Sequence, residues 1–165
     1  MNLIAKQGVL LTFKASGEYA ERLVSDLSPE EMISQPVPGV TMNHPAWVLA
    51  HLSAYPPVMM KMLQGDVPDD PMTHRYGRNS TPLADAGEYP PKDALVAHFL
   101  TVRHRLAEVF DAADPEVLGA PPLIERFVAR WPSMWHMCVT MMTHHEAVHL
   151  GQLSAWRRAG GRPAV

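Results

Sequence analysis

A single cysteine, Cys138, is the whole thiol content of the chain. One cysteine excludes an internal disulfide framework and suits a reducing compartment. No apolar run approaches the roughly 18 residues that a membrane-spanning helix requires. The N-terminal stretch lacks the basic start, the continuous apolar segment and the small-residue cleavage site of a secretory leader. Basic residues cluster no further than Arg157-Arg158, and the formal net charge is -3. That leaves no footprint for nucleic acid or for an acidic membrane surface. Convincing strand patterns, internal repeats and low-complexity tracts are missing as well. The absences together imply a cytoplasmic chain that binds neither nucleic acid nor membrane.

What remains is ordinary in bulk: 165 residues, 47% hydrophobic and 19% charged. This suits one domain over residues 1–165 with one core. Nine histidines and eleven methionines are more than a chain of this size usually carries. Methionine reads as core filler, because its flexible thioether fits irregular gaps between helices.

Four amphipathic segments cover most of the chain. Leu10, Phe13, Ala20, Val24 and Leu27 recur at three-and-four spacing and predict a first helix over residues 2–27. Ser28-Pro29-Glu30-Glu31 is a start signal for a short helical turn, and residues 35–39 read as a loop. A second helix begins with Asn43 as N-cap and Pro45 in its first turn. Pro56-Pro57 should kink it or end it early. Residues 65–91 are rich in Pro, Gly and Asp and read as a long loop, unusual inside a compact domain and often functional. Leu95, Phe99, Val102, Leu106 and Val109 predict a third helix over residues 92–110. Asp114-Pro115 and Pro121-Pro122 break up the next segment, with at most a short helix over residues 123–128. A fourth helix starts near Pro132 and stops at Gly160-Gly161, with Arg157 and Arg158 favourable to its dipole. The class is therefore all-α, a four-helix bundle whose long second loop permits a crossover.

Histidines mark the inward faces. The buried stripe of the fourth helix runs Trp135, Cys138, Met142, His145, His149, Gln152 and Trp156. That of the second runs Val48, His51, Tyr55, Val58 and Met62. His51, His145 and His149 can thus converge inside the bundle. A buried imidazole costs a few kcal/mol unless its nitrogens are satisfied. Each ring can be satisfied separately by a backbone carbonyl or a neighbour, or all three can share a divalent metal ion. Neutral imidazole is the commonest metal ligand, and three histidines with open positions are a catalytic arrangement. His74, His98, His104, His136 and His144 fall outside the inward register and read as solvated or capping. His44 lies about 10 Å before His51 by helical rise, which suits a pocket wall.

Two motifs compete for His145-Glu146-Ala147-Val148-His149. It matches the zinc-protease pattern H-E-x-x-H, in which Glu is the general base. Such enzymes need a third ligand downstream, and the sixteen residues after His149 contain no Asp, Glu or His. The extended protease form fails at Gly151 and Gln152. The segment His145 to Leu153, with Gly151-Gln152, instead resembles the H-x-x-x-H-x-G-Q-[LI] segment of the DinB family. Trp47-Val48-Leu49-Ala50-His51-Leu52 resembles that family's first-ligand segment. Leu27-Ser28-Pro29-Glu30-Glu31, with Gly39 after it, resembles the passage between its first two helices.

The resemblance to the DinB/YfiT-like metalloenzymes implies a four-helix bundle and a divalent metal, Zn, Ni or another first-row transition metal, held by His51, His145 and His149. It also implies frequent homodimers. Relatives include thiol S-transferases using bacillithiol or mycothiol and a mycothiol-dependent maleylpyruvate isomerase. The expected activity is therefore transfer between a low-molecular-weight thiol co-substrate and a small electrophile. The metal would lower the thiol's pKa. The alternatives are metal-dependent hydrolysis, with Glu146 or His44 moving protons, and a non-catalytic, stress-related metal-binding dimer. Glu146 lies about 100° from His145 around the helix, which suits a place behind the ligands or at the surface. Arg75, Arg78 and Lys92 around the long loop are candidates for steering an anion, beside the plainer reading as surface charge. Protonated imidazole cannot ligate, so metal release is expected below about pH 6.

Overall fold

The computed structural model describes residues 3–165, and the helix start expected at residue 2 lies outside them. Among the described residues the chain is helical and carries no strand. The main elements are α1 (Leu3–Ser25), α2 (Pro45–Leu63), α3 (Lys92–Ala112), the short α4 (Pro115–Gly119) and α5 (Glu125–Val128), α6 (Met134–Val139) and α7 (Glu146–Ala159). A π-helical turn, Thr140–His145, joins α6 to α7 without a break. Among the described residues no helix is long and apolar enough to cross a membrane.

The long helices pack as a bundle with a crossover. Lys6 at the start of α1 bonds the carbonyls of Asp111 and Ala113 at the end of α3. Lys92 at the start of α3 reaches those of Ser25 and Leu27 at the end of α1, so these two helices are antiparallel. Arg157 near the end of α7 bonds the Leu23 carbonyl at 2.9 Å and Asp26 at 2.5 Å, so α7 runs parallel to α1. Asn43 before α2 meets Gln152 in α7, and His51 meets His145, so α2 opposes α7. It follows that α2 and α3 run parallel, and the loop over residues 64–91 is the crossover that joins them.

Ser28 and Glu31 form the expected capping box: Glu31 N–H donates to Ser28 Oγ at 3.3 Å and Ser28 N–H to Glu31 Oε2 at 2.7 Å. Three expectations are corrected. The N-cap of α2 is His44, not Asn43; its Nδ1 accepts the Trp47 N–H at 3.2 Å. Of the two outcomes expected at Pro56-Pro57, a kink or an early end, the early end does not occur, since α2 continues to Leu63. Tyr55 and Met59 on either side are buried in an apolar cluster with residues of α1, α3 and α6, so tertiary packing outweighs the lost backbone bonds. The fourth segment is not one α-helix from Pro132. It begins at Met134 and passes through the π turn, where Thr140 Oγ1 and Thr143 Oγ1 bond the carbonyls four residues back at 2.8 and 2.6 Å. The short α4 is unexpected, although Asp114 before Pro115 is its cap and accepts the Glu116 N–H at 2.7 Å.

The core divides along the bundle axis. One apolar cluster holds Val9 and Phe13, Tyr55 to Leu63, Leu106 and Phe110, and Met134 to Met142. The other holds Ala20 to Leu27, Ala46 to Leu52, Leu95 and Phe99, and Leu150 to Trp156. Between them every long helix presents polar side chains: Ser16 on α1, His51 on α2, Arg103 on α3, and His145, Glu146 and His149 at the π-to-α junction.

Candidate metal centre

The π-to-α junction splits this polar layer in two. His145 and His149 face α2, while Glu146 between them faces α1 and α3. π turns inside α-helices recur at functional sites, and here the turn ends on His145. His51 and His149 are 3% and 9% exposed, and His145 is half-buried. One ring nitrogen of each lies within 4.8 Å of the other two. His51 Nε2 and His145 Nε2 are 3.1 Å apart.

Neighbouring groups fix two of the rings. His51 Nδ1–H donates to the Tyr76 carbonyl at 2.6 Å, which leaves the Nε2 lone pair facing the other imidazoles. The His51 ring also stacks on Trp47, with centroids 4.6 Å apart and planes 14° from parallel. His149 Nδ1–H donates to Gln152 Oε1 at 3.0 Å, and the same oxygen accepts from Asn43 Nδ2 at 2.9 Å. Burial lowers the pKa of all three, His51 to about 4 and His145 to about 3, with the neighbouring rings adding repulsion for those two. All three are neutral at pH 7, the form that ligates a metal.

The imidazoles open onto a cavity of about 290 Å³. Its walls are largely aromatic, from Trp47, Tyr55, Phe127 and Trp131, with Asn43, Arg78 and Met141 completing it. Burial raises the Tyr55 hydroxyl, so it keeps its proton. The 64–91 loop is strapped across this end of the bundle. Trp47 Nε1 donates to Ser80 Oγ at 2.9 Å, His44 Nε2–H to the Leu83 carbonyl at 2.9 Å, and Arg126 holds Asp70 through two bonds of 2.5 and 2.6 Å. Gly77 lets the strap fold tightly, because a Cβ there would collide with the Pro71 carbonyl.

Several site expectations change. His44 is no pocket wall: it is fully buried, with both ring nitrogens used in capping α2 and tying down the loop. Glu146 is not at the surface but 3% exposed, behind the histidines. It pairs with Arg103, whose Nη2 also donates to the Phe13 carbonyl and to Ser16 Oγ. Gln152 stands exposed at the rim, and Leu153 takes the buried place. Sequence reasoning misses Arg103, although it lies four residues after Phe99 and three before Leu106, on the apolar stripe itself. Cys138 is buried, and burial pushes its thiol up to about 12, which removes it as a nucleophile. His74, His98, His104, His136 and His144 are exposed, as expected.

A family model of the DinB superfamily matches residues 12–153. The chain belongs to the DinB superfamily. No curated protein matches it. As in the segments that suggested this superfamily, the three clustered histidines come from α2 and the last helical stretch, and Gln152 of the G-Q pair holds the ring of His149. Their chemistry fits a divalent ion: neutral nitrogen donors, two of them with fixed tautomers, and, among the described residues, no fourth His, Cys, Asp or Glu in the group. A three-ligand set with open positions suits chemistry more than structural binding.

Proposed function

We propose that this DinB-superfamily chain is a metal-dependent enzyme of the thiol S-transferase type, joining a low-molecular-weight thiol to a small electrophile. His51, His145 and His149 hold a divalent first-row transition ion, with Zn and Ni among the candidates. One observation carries the reading: three neutral imidazoles converge on an open cavity of about 290 Å³ walled by aromatic side chains. When bound, the ion supplies Lewis acidity that favours the thiolate over the thiol. The Tyr76 carbonyl and Gln152 orient two ligand rings. Trp47, Phe127 and Trp131 exclude water from one side of the cavity, and Tyr55 offers a protonated hydroxyl within it. We also propose a cytoplasmic homodimer, which light scattering tests against the 18.3 kDa of one chain.

Metal analysis of protein purified without a histidine tag tests the ligands. About one ion per chain is expected, lost in His149→Ala and kept in His74→Ala. Equal metal content in the two variants refutes the assignment. Conjugation assays with several thiols test the reaction class. Stoichiometric, exchangeable metal with no thiol dependence in any assay rejects the transferase reading and turns attention to hydrolysis.

A further inference from the structure

The charge inventory of the cavity is one-sided. Among the described residues its lining includes three imidazoles, one asparagine, one tyrosine and Arg78, but no carboxylate. The nearby acids are already engaged. Asp70 is held by Arg126 through two hydrogen bonds, and Glu146 by Arg103 on the far side of the helix. Around the same loop Arg75 is paired with Glu88, and Lys92 caps the end of α1. Arg78 differs from both: it is exposed, and among the described residues its guanidinium has no ion-pair, hydrogen-bond or ring partner while it lines the cavity. A free guanidinium over a pocket of neutral donors makes the field there positive, and a divalent ion would make it more so. A ligand that balances this charge is anionic. Guanidinium geometry matches a carboxylate through two parallel hydrogen bonds. The walls from Trp47, Phe127 and Trp131 offer apolar area to the remainder of such a ligand.

We propose that the cavity selects a compact organic carboxylate with an apolar or aromatic body, and that Arg78 is the residue that binds its carboxylate. This names the substrate class of the site, and to that extent rests on the functional reading above. The aromatic lining favours an organic anion over free phosphate, which would gain nothing from those walls.

The test is calorimetric titration of 3-phenylpropionate, its neutral amide and inorganic phosphate into chelator-stripped and zinc-loaded protein. In stripped protein a carboxylate cannot gain from the metal, so Arg78 is read alone. The acid should bind about tenfold tighter than the amide, equivalent to about 1.4 kcal/mol, and tighter than phosphate. Arg78→Met should bring acid and amide to parity, and Arg78→Lys should keep part of the preference because it keeps charge but loses the planar fork. Circular dichroism verifies the fold of both variants. Parity in the unmodified stripped protein, a preference that survives Arg78→Met, phosphate binding as tight as the acid, or no binding of either organic probe would each overturn the proposal. Failure of the protein to take up zinc would sink the metal reading instead, while the stripped-protein comparison still decides the role of Arg78.

Discussion

One turn of helix carries two buried polar groupings that solve the same problem differently. On one side His145 and His149 meet His51 as neutral rings facing an open cavity. On the other, Glu146 meets Arg103 as opposite charges closed off from solvent, with the guanidinium laid 3.8 Å from the Phe13 ring centroid. The charged pair is held within the protein: Arg103 Nη2 bonds the Phe13 carbonyl and Ser16 Oγ, Nη1 has, among the described residues, only its ion-pair contact with Glu146 and no hydrogen bond, and Gly17 makes room for the guanidinium, since a Cβ there would lie 3.1 Å from Arg103 Nε. Burial alone raises the Glu146 carboxyl and lowers the Arg103 guanidinium, and the contact between them opposes both. The imidazole grouping stays neutral, with ring nitrogens converging, His51 Nε2 and His145 Nε2 hydrogen-bonded at 3.1 Å, and no carboxylate in the cluster among the described residues. Neutral donors converging on a cavity mark a site for a ligand. A closed ion pair facing the core marks a fastening that fixes which way α7 is turned.

The largest effect should come from breaking the fastening. Arg103→Met leaves a buried carboxylate without its partner, which costs about 3–5 kcal/mol when such pairs are broken. Urea denaturation should show that loss, and the double variant Arg103→Met/Glu146→Leu should recover most of it, because no charge then remains buried. A single-variant loss below about 1 kcal/mol would mean that the pair behaves as a surface ion pair, and the contrast between the two sides would collapse. In metal-free protein His149→Ala should cost less than Arg103→Met, since it removes a neutral ring whose partner, Gln152, is at the rim.

Gln152 tests the open side. Its oxygen accepts from both His149 and Asn43, so Gln152→Leu should leave the ligands in place but free the His149 ring to rotate. Loss of such supporting hydrogen bonds weakens metal binding about 10–100-fold. Competition against a chromophoric chelator reads that change, while the urea midpoint should move little because the side chain is exposed. Unchanged affinity would show that the His149 ring is held by packing alone.

How much of this is legible in the sequence depends on the physics of each feature. The long helices and the convergence of His51, His145 and His149 follow from a period of three to four residues, which survives tertiary context. The continuation of α2 through Pro56-Pro57 is not readable, because it depends on clamping by helices distant in sequence. The π turn depends on Thr140 and Thr143 hydroxyls competing for helix carbonyls, a choice that local propensity leaves open. His44 looks like a pocket residue because its phase is near that of His51. Its actual place comes from lying just outside the helix start, where its Nδ1 faces the free N–H groups. Arg103 is readable in principle, as a charge on an apolar stripe. It escapes notice because its partner, Glu146, can be placed equally behind the ligands or at the surface.

The smallest effect distinguishes the two groupings by pH in metal-free protein. Burial, reinforced by the neighbouring rings, depresses His51 to about 4 and His145 to about 3, from an ordinary value near 6.5. Between those limits the unfolded chain binds protons that the folded chain refuses, so stability rises with pH through this window. The contribution is fully present above about 6.5 and is lost progressively as pH falls toward 4 and then 3. Between pH 7 and pH 6 the loss is about 0.5–1 kcal/mol for each of these two rings. Urea midpoints at those two pH values measure it, and replacing His51 and His145 together by Gln should flatten that part of the profile. The same depression moves the expected onset of metal release from about pH 6 to lower pH, because protons compete poorly for rings that are already hard to charge. Carbon-detected titration of the imidazoles, showing His51 and His145 still neutral at pH 5.5, would support both outcomes. Protonation of either ring near pH 6.5 would show that the site is far wetter than its burial implies.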